Sequence, residues 1–498
     1  MNAASHIWAG EETETPWRFR LQEMAWRDLV DALKHDDLPF VGLWCDGTDV
    51  HALFLPDGQP LAATLALEDG RYPALSPARD ISCLYERRIY DLYGAEGMWA
   101  TDVRPLLDHD VWSSSTPLAE HPGAGGGQKG LIHFQPAEHM HQKGDMADGW
   151  GPATGGMEPP LHVALAMQEG RIRAAETVTG YAHRGMELRW RNSRVEDACK
   201  LSARVAAGQS VAHQVAFCLA VEDACKEQVG PEIRLLRVAL LELERICHHL
   251  FLLADMARLA GARLVASGCM GLREKLLQEA APITGSRLLM DVCVPGGLSL
   301  RHATQMGDMC GRLCEVAERD YPALLALWQE YPGLSMQLAG MGKVTADLLE
   351  RVGLDGPTAR AAGWDCDGRR MMPGYEGIWR FTSGRQDGTA EDRAMLLLEE
   401  VGESLRMLDE VASRIGLTAG GSVQLSMQDS EGTGMVEGPW GGILYWVRLK
   451  EGRVEQVFAR NPSSAALLTF EAILPGHQPD DVALLARSLD INAAALDQ

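Results

Sequence analysis

Apolar positions recur at helical spacing through residues 17–34, WRFRLQEMAWRDLVDALK, which predicts an amphipathic helix near the start of the chain. Three short apolar runs come next, PFVGLW, VHALFLP and PLAATLAL, and read as strands separated by turns at Asp46-Gly47 and Asp57-Gly58. A helix over 81–93 and a polar exit ending near Trp112 complete an α+β unit spanning residues 1–112. The periodicity then stops. Residues 113–127, SSSTPLAEHPGAGGG, carry the Ser, Pro and Gly content of a flexible linker, and the linker is assigned to 113–147.

The second unit, 148–498, opens with LHVALAMQ and RIRAAETV, two alternating runs joined at Glu169-Gly170 that predict a β-hairpin. Helical spacing dominates the remainder of the chain, with helices expected over 209–227, 232–260, 301–330, 391–414 and 478–488. The 232–260 stretch starts behind Gly230-Pro231, where proline suits the first helical turn. Its apolar residues cover more than one stripe, which places it inside a bundle rather than on a surface. GGILYWVRLK and RVEQVFA predict a second hairpin around Glu451-Gly452. The expected fold class is an α+β N-terminal domain followed by a mainly α helical bundle carrying small β-hairpins.

Composition narrows the picture. A chain of 498 residues is too long for one core, and two or three domains are expected. A formal charge of −23 argues against nucleic acid and against docking on anionic lipid. No apolar run reaches the length of a membrane span, and MNAASHIWAGEETE lacks the basic-then-apolar order of an export leader. The eleven cysteines are scattered without a C-x-x-C pair and are expected to be reduced core thiols. His133, His139 and His141 lie in polar, loop-like text and read as solvated. His248 and His249 are consecutive in a helix, so their rings point in different directions. Arg245 with Glu242 reads as a structural pair.

Chemistry enters through five segments: GYAHRGME (180–187), RVALLELERICHHL (237–250), VPGGLSL (294–300), EGPWGG (437–442) and SLDINAAALDQ (488–498). In this order they resemble the large-subunit family shared by membrane-bound group 4 [NiFe] hydrogenases and the 49-kDa quinone-site subunit of respiratory complex I. Residues 1–112, through YERRIYDLYGAEG (85–97), resemble the complex I 30-kDa subunit. The fusion of the two is similar to that in formate-hydrogenlyase large subunits.

The hydrogenases of this family hold nickel and iron on four cysteine thiolates, soft ligands suited to those metals. The resemblance places those positions at Ala206, Gln209, Asn492 and Ala495, and the arginine over the metals at Trp440. The final histidine of the second motif falls on Gln498. These residues are therefore expected to line a vestigial metal cavity, with no metal and no cofactor bound by this chain. The quinone ligands of the complex I branch are also altered: no histidine occurs in residues 151–160, and Leu201 stands where a tyrosine is expected.

Glu187, Arg204, His213 and Asp490 remain at motif positions, and Glu158 falls near the proton-relaying carboxylate of the hydrogenases. These five are the candidate catalytic set, with proton transfer as the implied chemistry. The competing reading of Arg204, Glu187 and Asp490 is a set of structural ion pairs. The resemblance implies a peripheral-arm subunit on the cytoplasmic side of the membrane, without a transmembrane segment of its own. Its implied partners are a small iron–sulfur subunit with a [4Fe–4S] cluster and antiporter-type membrane subunits, with quinone as a candidate substrate. The alternative is a catalytically silent scaffold for the same partners.

Overall fold

In the computed structural model, which describes residues 2–127, 134–154, 159–415 and 423–498, the first amphipathic run divides in two. Strand β1 (Arg18–Leu21) is extended, and helix α1 (Glu23–Leu33) begins two residues after it. β2 (Phe40–Cys45), β3 (Asp49–Phe54) and β4 (Leu61–Ala66) form as the sequence predicts. The reason for the split is tertiary: β1 pairs in parallel with β4, and that ladder overrides a helical period in a four-residue stretch. The sheet runs Glu11–Glu12, β1, β4, β3, β2, antiparallel apart from that one pairing. Helix α2 (Ser82–Tyr93) packs on β2.

This sheet shares its core with the rest of the chain. One apolar cluster joins Trp26, Leu53 and Phe54 to Val163, Leu354, Trp446 and Phe470. Trp44 stacks on Phe458 with ring centroids 4.7 Å apart and leans on Trp446 at 5.1 Å. Gly42 makes room for this stack, since a Cβ there would stand 2.6 Å from the Phe458 ring. Ion pairs cross the same seam: Arg18 with Glu431 at 2.5 Å and Arg448 with Asp46 at 2.9 Å. Within the stretch expected to be a linker, Ser114–Ser115 pairs with Gly123–Ala124, and Leu118 is buried.

β5 (Met146–Trp150), β6 (His162–Gln168) and β7 (Arg171–Val178) form an antiparallel sheet, so the predicted hairpin gains a third strand. Short helices α3 (Met186–Trp190) and α4 (Val195–Ser202) lead into α5 (Ser210–Ala224) and α6 (Pro231–Leu259). α6 packs against α7 (Arg263–Thr284) and α9 (Ala390–Arg414), and both of these pack against α8 (Met306–Glu330). Helix α7 is absent from the sequence expectations. Gly268, Gly271 and Pro282 weaken its intrinsic signal, and contact with α6 and α8 supplies what propensity does not.

The second predicted hairpin, β9 (Gly441–Lys450) and β10 (Arg453–Arg460), also has an unpredicted neighbour in β8 (Ser430–Gly438). Its text, SEGTGMVEG, lacks strand propensity because its glycines serve packing. Ala212, Ala216, Ala220 and Ala224 form a stripe on α5, and Gly432, Gly434 and Gly438 lie against it. A Cβ at Gly434 would stand 2.2 Å from the Ala216 carbonyl oxygen and 2.5 Å from the Ala220 nitrogen. Gly434→Ala is therefore expected to cost about 1–3 kcal/mol in denaturant unfolding, as overpacking does. Gly271→Ala, on an exposed helical position with open space, should instead gain about 0.5–1 kcal/mol in the same assay.

Three more helices, α10 (Ser463–Ile473), α11 (Val482–Ser488) and α12 (Ala493–Asp497), close the chain. The predicted 478–488 helix begins with a single turn at Pro479–Asp481 and then becomes α11. The content is mixed α and β, with the longest helices in the bundle around α6.

Candidate functional site

The turn after α4, residues 203–209, and the segment 489–495 come from distant parts of the sequence. Two side chains join them. Arg184, just ahead of α3, donates to the Arg204 oxygen at 2.6 Å, the Val205 oxygen at 2.9 Å and the Ala494 oxygen at 2.5 Å. His248 of α6 lies against Gly208, where φ is +79° and a Cβ would stand 2.3 Å from its Nδ1. The other ring nitrogen, Nε2, meets Asp490 Oδ2 at 2.7 Å. Ala206, Gln209, Asn492 and Ala495 are all buried around this junction. The two segments that carry the four expected cavity-lining residues are thus held together by Arg184 and His248.

The side chains there are already engaged. Asn461, directly after β10, accepts from the Ser463 amide with Oδ1 at 2.9 Å, which fixes its flip. Its Nδ2 then donates to Gln209 Oε1 at 3.0 Å and reaches His213 Nε2 at 3.1 Å. A donor facing Nε2 makes that nitrogen the acceptor, so the ring hydrogen sits on Nδ1, 2.9 Å from the Tyr445 hydroxyl. Burial, with Arg184 nearby, pushes His213 down to about 3. It is neutral throughout the physiological range. Asn492 Oδ1 accepts from the Ala495 amide at 3.2 Å and caps α12. Trp440 fills a buried place between β8 and β9.

Asp490 is buried, which alone would raise its carboxyl, but His248, with Arg487 and His249 nearby, outweighs burial and holds it below the usual range. Glu187 lies in α3 and pairs with Arg88 of α2. Burial opposes its ionisation, and Arg88 and His183 overcome that and pull it down. Arg88 also donates to the Leu496 oxygen and to Gln498 Oε1, both at 2.9 Å, so Glu187 borders the same junction. A cleft of about 260 Å³ opens beside it, walled by Trp112, Leu118 and Leu188, with His183 stacked on Trp112 at 4.7 Å.

Arg204 is turned away. Its guanidinium makes a two-pronged pair with Asp291 at 2.7 and 2.8 Å on the surface. Arg204→Ala is expected to change stability by no more than about 1 kcal/mol, the usual worth of an exposed pair, in thermal or denaturant unfolding. Glu158 lies outside the described residues. Of the candidate set, the structure brings together His213, Asp490 and, at the edge, Glu187.

Three residues that organise the junction are not candidates from sequence alone: Arg184, His248 and Asn461. Arg184 sits inside GYAHRGME, and a guanidinium facing only carbonyls has no partner visible in the text. His248 is legible as a helical histidine, though its carboxylate partner is 242 positions away.

The junction does not fit a nickel–iron centre. Alanine offers no donor, and the two amide oxygens are hard and already accept N–H groups. Among the described residues no group of three or more His, Cys, Asp and Glu is placed to hold a metal ion. All eleven cysteines are free. Cys199 and Cys218 lie 3.8 Å apart sulfur to sulfur, buried among apolar side chains of α4 and α5.

The family model of the respiratory-chain NADH dehydrogenase 49 Kd subunit matches residues 260–424. An NADH-quinone oxidoreductase subunit of Solibacter usitatus is 27% identical over 360 residues, covering 70% of this chain and 95% of that protein. Formate hydrogenlyase subunit 5 of Escherichia coli is 24% identical over 440 residues, covering 84% of this chain and 75% of that one. Over residues 260–424 the chain is similar to the 49 Kd subunit family, and over most of its length to formate hydrogenlyase subunit 5. Another NADH-quinone oxidoreductase subunit, from Bacteroides thetaiotaomicron and designated C/D, is 21% identical over 390 residues and covers 72% of each chain. That double designation agrees with the fusion expected from the sequence of residues 1–112. No described helix is long and apolar enough to cross a membrane.

Proposed function

We propose that this chain is the large peripheral-arm subunit of a membrane-bound oxidoreductase complex related to complex I and the energy-converting hydrogenases. In this reading, residues 1–112 correspond to the 30-kDa subunit, 113–147 connect them onward, and 148–498 form the large-subunit fold. The chain pairs with a small iron–sulfur subunit, which holds a [4Fe–4S] cluster, and with antiporter-type membrane subunits on the cytoplasmic side. Electrons pass from the partner's cluster to a quinone, and the transfer drives ion movement in the membrane arm. One observation carries the reading: the turn at 203–209 and the segment at 489–495 are still locked together by Arg184 and His248, without any thiolate between them.

The test is purification of the intact complex, followed by metal analysis and extraction of bound quinone. Nickel below one atom per complex, with quinone bound, is the expected result. Stoichiometric nickel would overturn it. A complex free of both nickel and quinone supports the scaffold instead, which the neutral, fully engaged His213 and the surface pairing of Arg204 favour. Glu187→Gln is expected to abolish coupled turnover with assembly retained. Loss of assembly would assign Glu187 to its ion pair with Arg88.

A further inference from the structure

A second cluster of ionisable groups lies deeper in the molecule. α6 contributes Glu242, Arg245 and His249, and α9 contributes Glu400. Arg360 comes from the short helix Gly356–Ala361, Asp367 and Arg369 from the turn after it, and Glu437 from the end of β8. All eight are buried. Arg360 bridges Glu400 and Glu437, at 2.7 Å to each. Arg369 holds Asp367 at 2.7 Å and reaches Glu242 at 3.4 Å. Arg245 lies 3.4 Å from Glu242 and donates to the backbone oxygens of Glu437 and Gly438. His249 Nε2 meets Glu400 Oε2 at 2.8 Å.

Three guanidiniums therefore face four carboxylates in a region closed to bulk water. An uncompensated buried negative charge is costly, so the ensemble requires one proton. His249 and Glu437 are the groups able to take it. His249 as a cation would need an acceptor at both nitrogens, and its Nδ1 is buried without a partner. Glu242 is committed as an anion, accepting from the Tyr375 hydroxyl at 2.6 Å and the Ser404 hydroxyl at 2.5 Å. Glu437 has one close guanidinium, Arg360, with Arg245 near its backbone, while Asp367 and Asp355 crowd it with like charge. Asp355 is itself paired with Arg460 at 2.9 Å. Burial, opposed by Arg360, raises Glu437 to about 7, and burial lowers His249 to about 4.

A notch of about 40 Å³, lined by Arg360, Asp367, Trp364, Thr382 and Ser383, adjoins the cluster and has room for about one water. We infer that this cluster binds one exchangeable proton, carried by Glu437 and exchanged with solvent through the notch at Arg360 and Asp367. The site borders the junction, since His249 follows His248 in α6, and it operates whether the chain turns over a substrate or serves as a scaffold.

The test uses the full chain and infrared spectra taken from pH 5 to pH 9, wild type minus Glu437→Gln. One protonated-carboxyl band is expected to be missing from the variant, and in the wild type that band should fade as pH rises through neutrality. Asp367→Asn removes one negative charge and should release the proton, so the same band should be absent at pH 7 while Glu437 remains. Thermal unfolding gives an independent readout. A carboxyl raised on folding contributes stability in acid that is lost as pH rises through about 7, and Glu437→Gln should flatten that slope. The inference is overturned if the difference spectrum holds no such band at pH 6. Persistence of the band at full intensity in Asp367→Asn, or a Glu437→Gln variant that cannot fold at any pH, would overturn it as well.

Discussion

Arg360→Met is expected to destabilise the protein by about 3–5 kcal/mol, a large fraction of the stability of an ordinary domain. The guanidinium is fully enclosed and joins Glu400 of α9 to Glu437 of β8, so it ties the bundle to the four-stranded sheet. Its removal leaves Glu400 with His249 and the more distant Arg245 and Arg369, at 3.7 and 3.9 Å, and leaves Glu437 without a close cation. Methionine of similar length fills the space but cannot restore the charge. Two guanidiniums would then face four carboxylates, so a second carboxylate besides Glu437 would need to protonate or draw in water. The measurement is urea unfolding at pH 7, where the midpoint should fall with little change in slope. The loss should shrink in acid, because protonating the stranded carboxylates removes the penalty.

The second large effect is expected from Arg184→Ala, and it should be local. Three charge-assisted hydrogen bonds to backbone carbonyls disappear together, each worth about 1.5–3 kcal/mol at most. His248 with Asp490 then remains between the two segments, while Arg88, His183, the 182–186 backbone and Ala459 still anchor residues 496–498 from elsewhere. Hydrogen exchange should quicken at Ala494, Ala495 and their neighbours by at least about tenfold, while amides in α6 and α7 keep their protection. A uniform loss of protection across the bundle would instead make Arg184 part of the global core. Arg184→Lys should recover little, since one ammonium cannot address three carbonyls arranged for a planar fork.

The long helices are legible in the text because their burial is periodic. α6 announces both its start, at Pro231, and its depth, through apolar residues on several sides. β8 is not legible, because Gly432 and Gly434 carry no strand signal and take their meaning from the alanine stripe of α5. β1 reads as helix for the opposite reason: residues of good helical spacing are captured by a sheet partner, β4, that lies beyond two intervening strands. At the junction, positions are readable and states are not. The motif order places Gln209, His213 and Asn492, but the neutrality of His213 follows from Asn461 and Tyr445, which are remote in sequence.

The Trp44–Phe458 stack, with Arg18 and Arg448 reaching across to Glu431 and Asp46, bears on how the molecule can be taken apart. Cleaving the backbone near residue 113 would give two pieces, each presenting a raw aromatic face and stranded charges. Neither fragment should stay dispersed alone, yet mixing them should rebuild the whole. Exchanging the first hundred residues for those of another protein would succeed only where the graft brought its own match for the Phe458 ring.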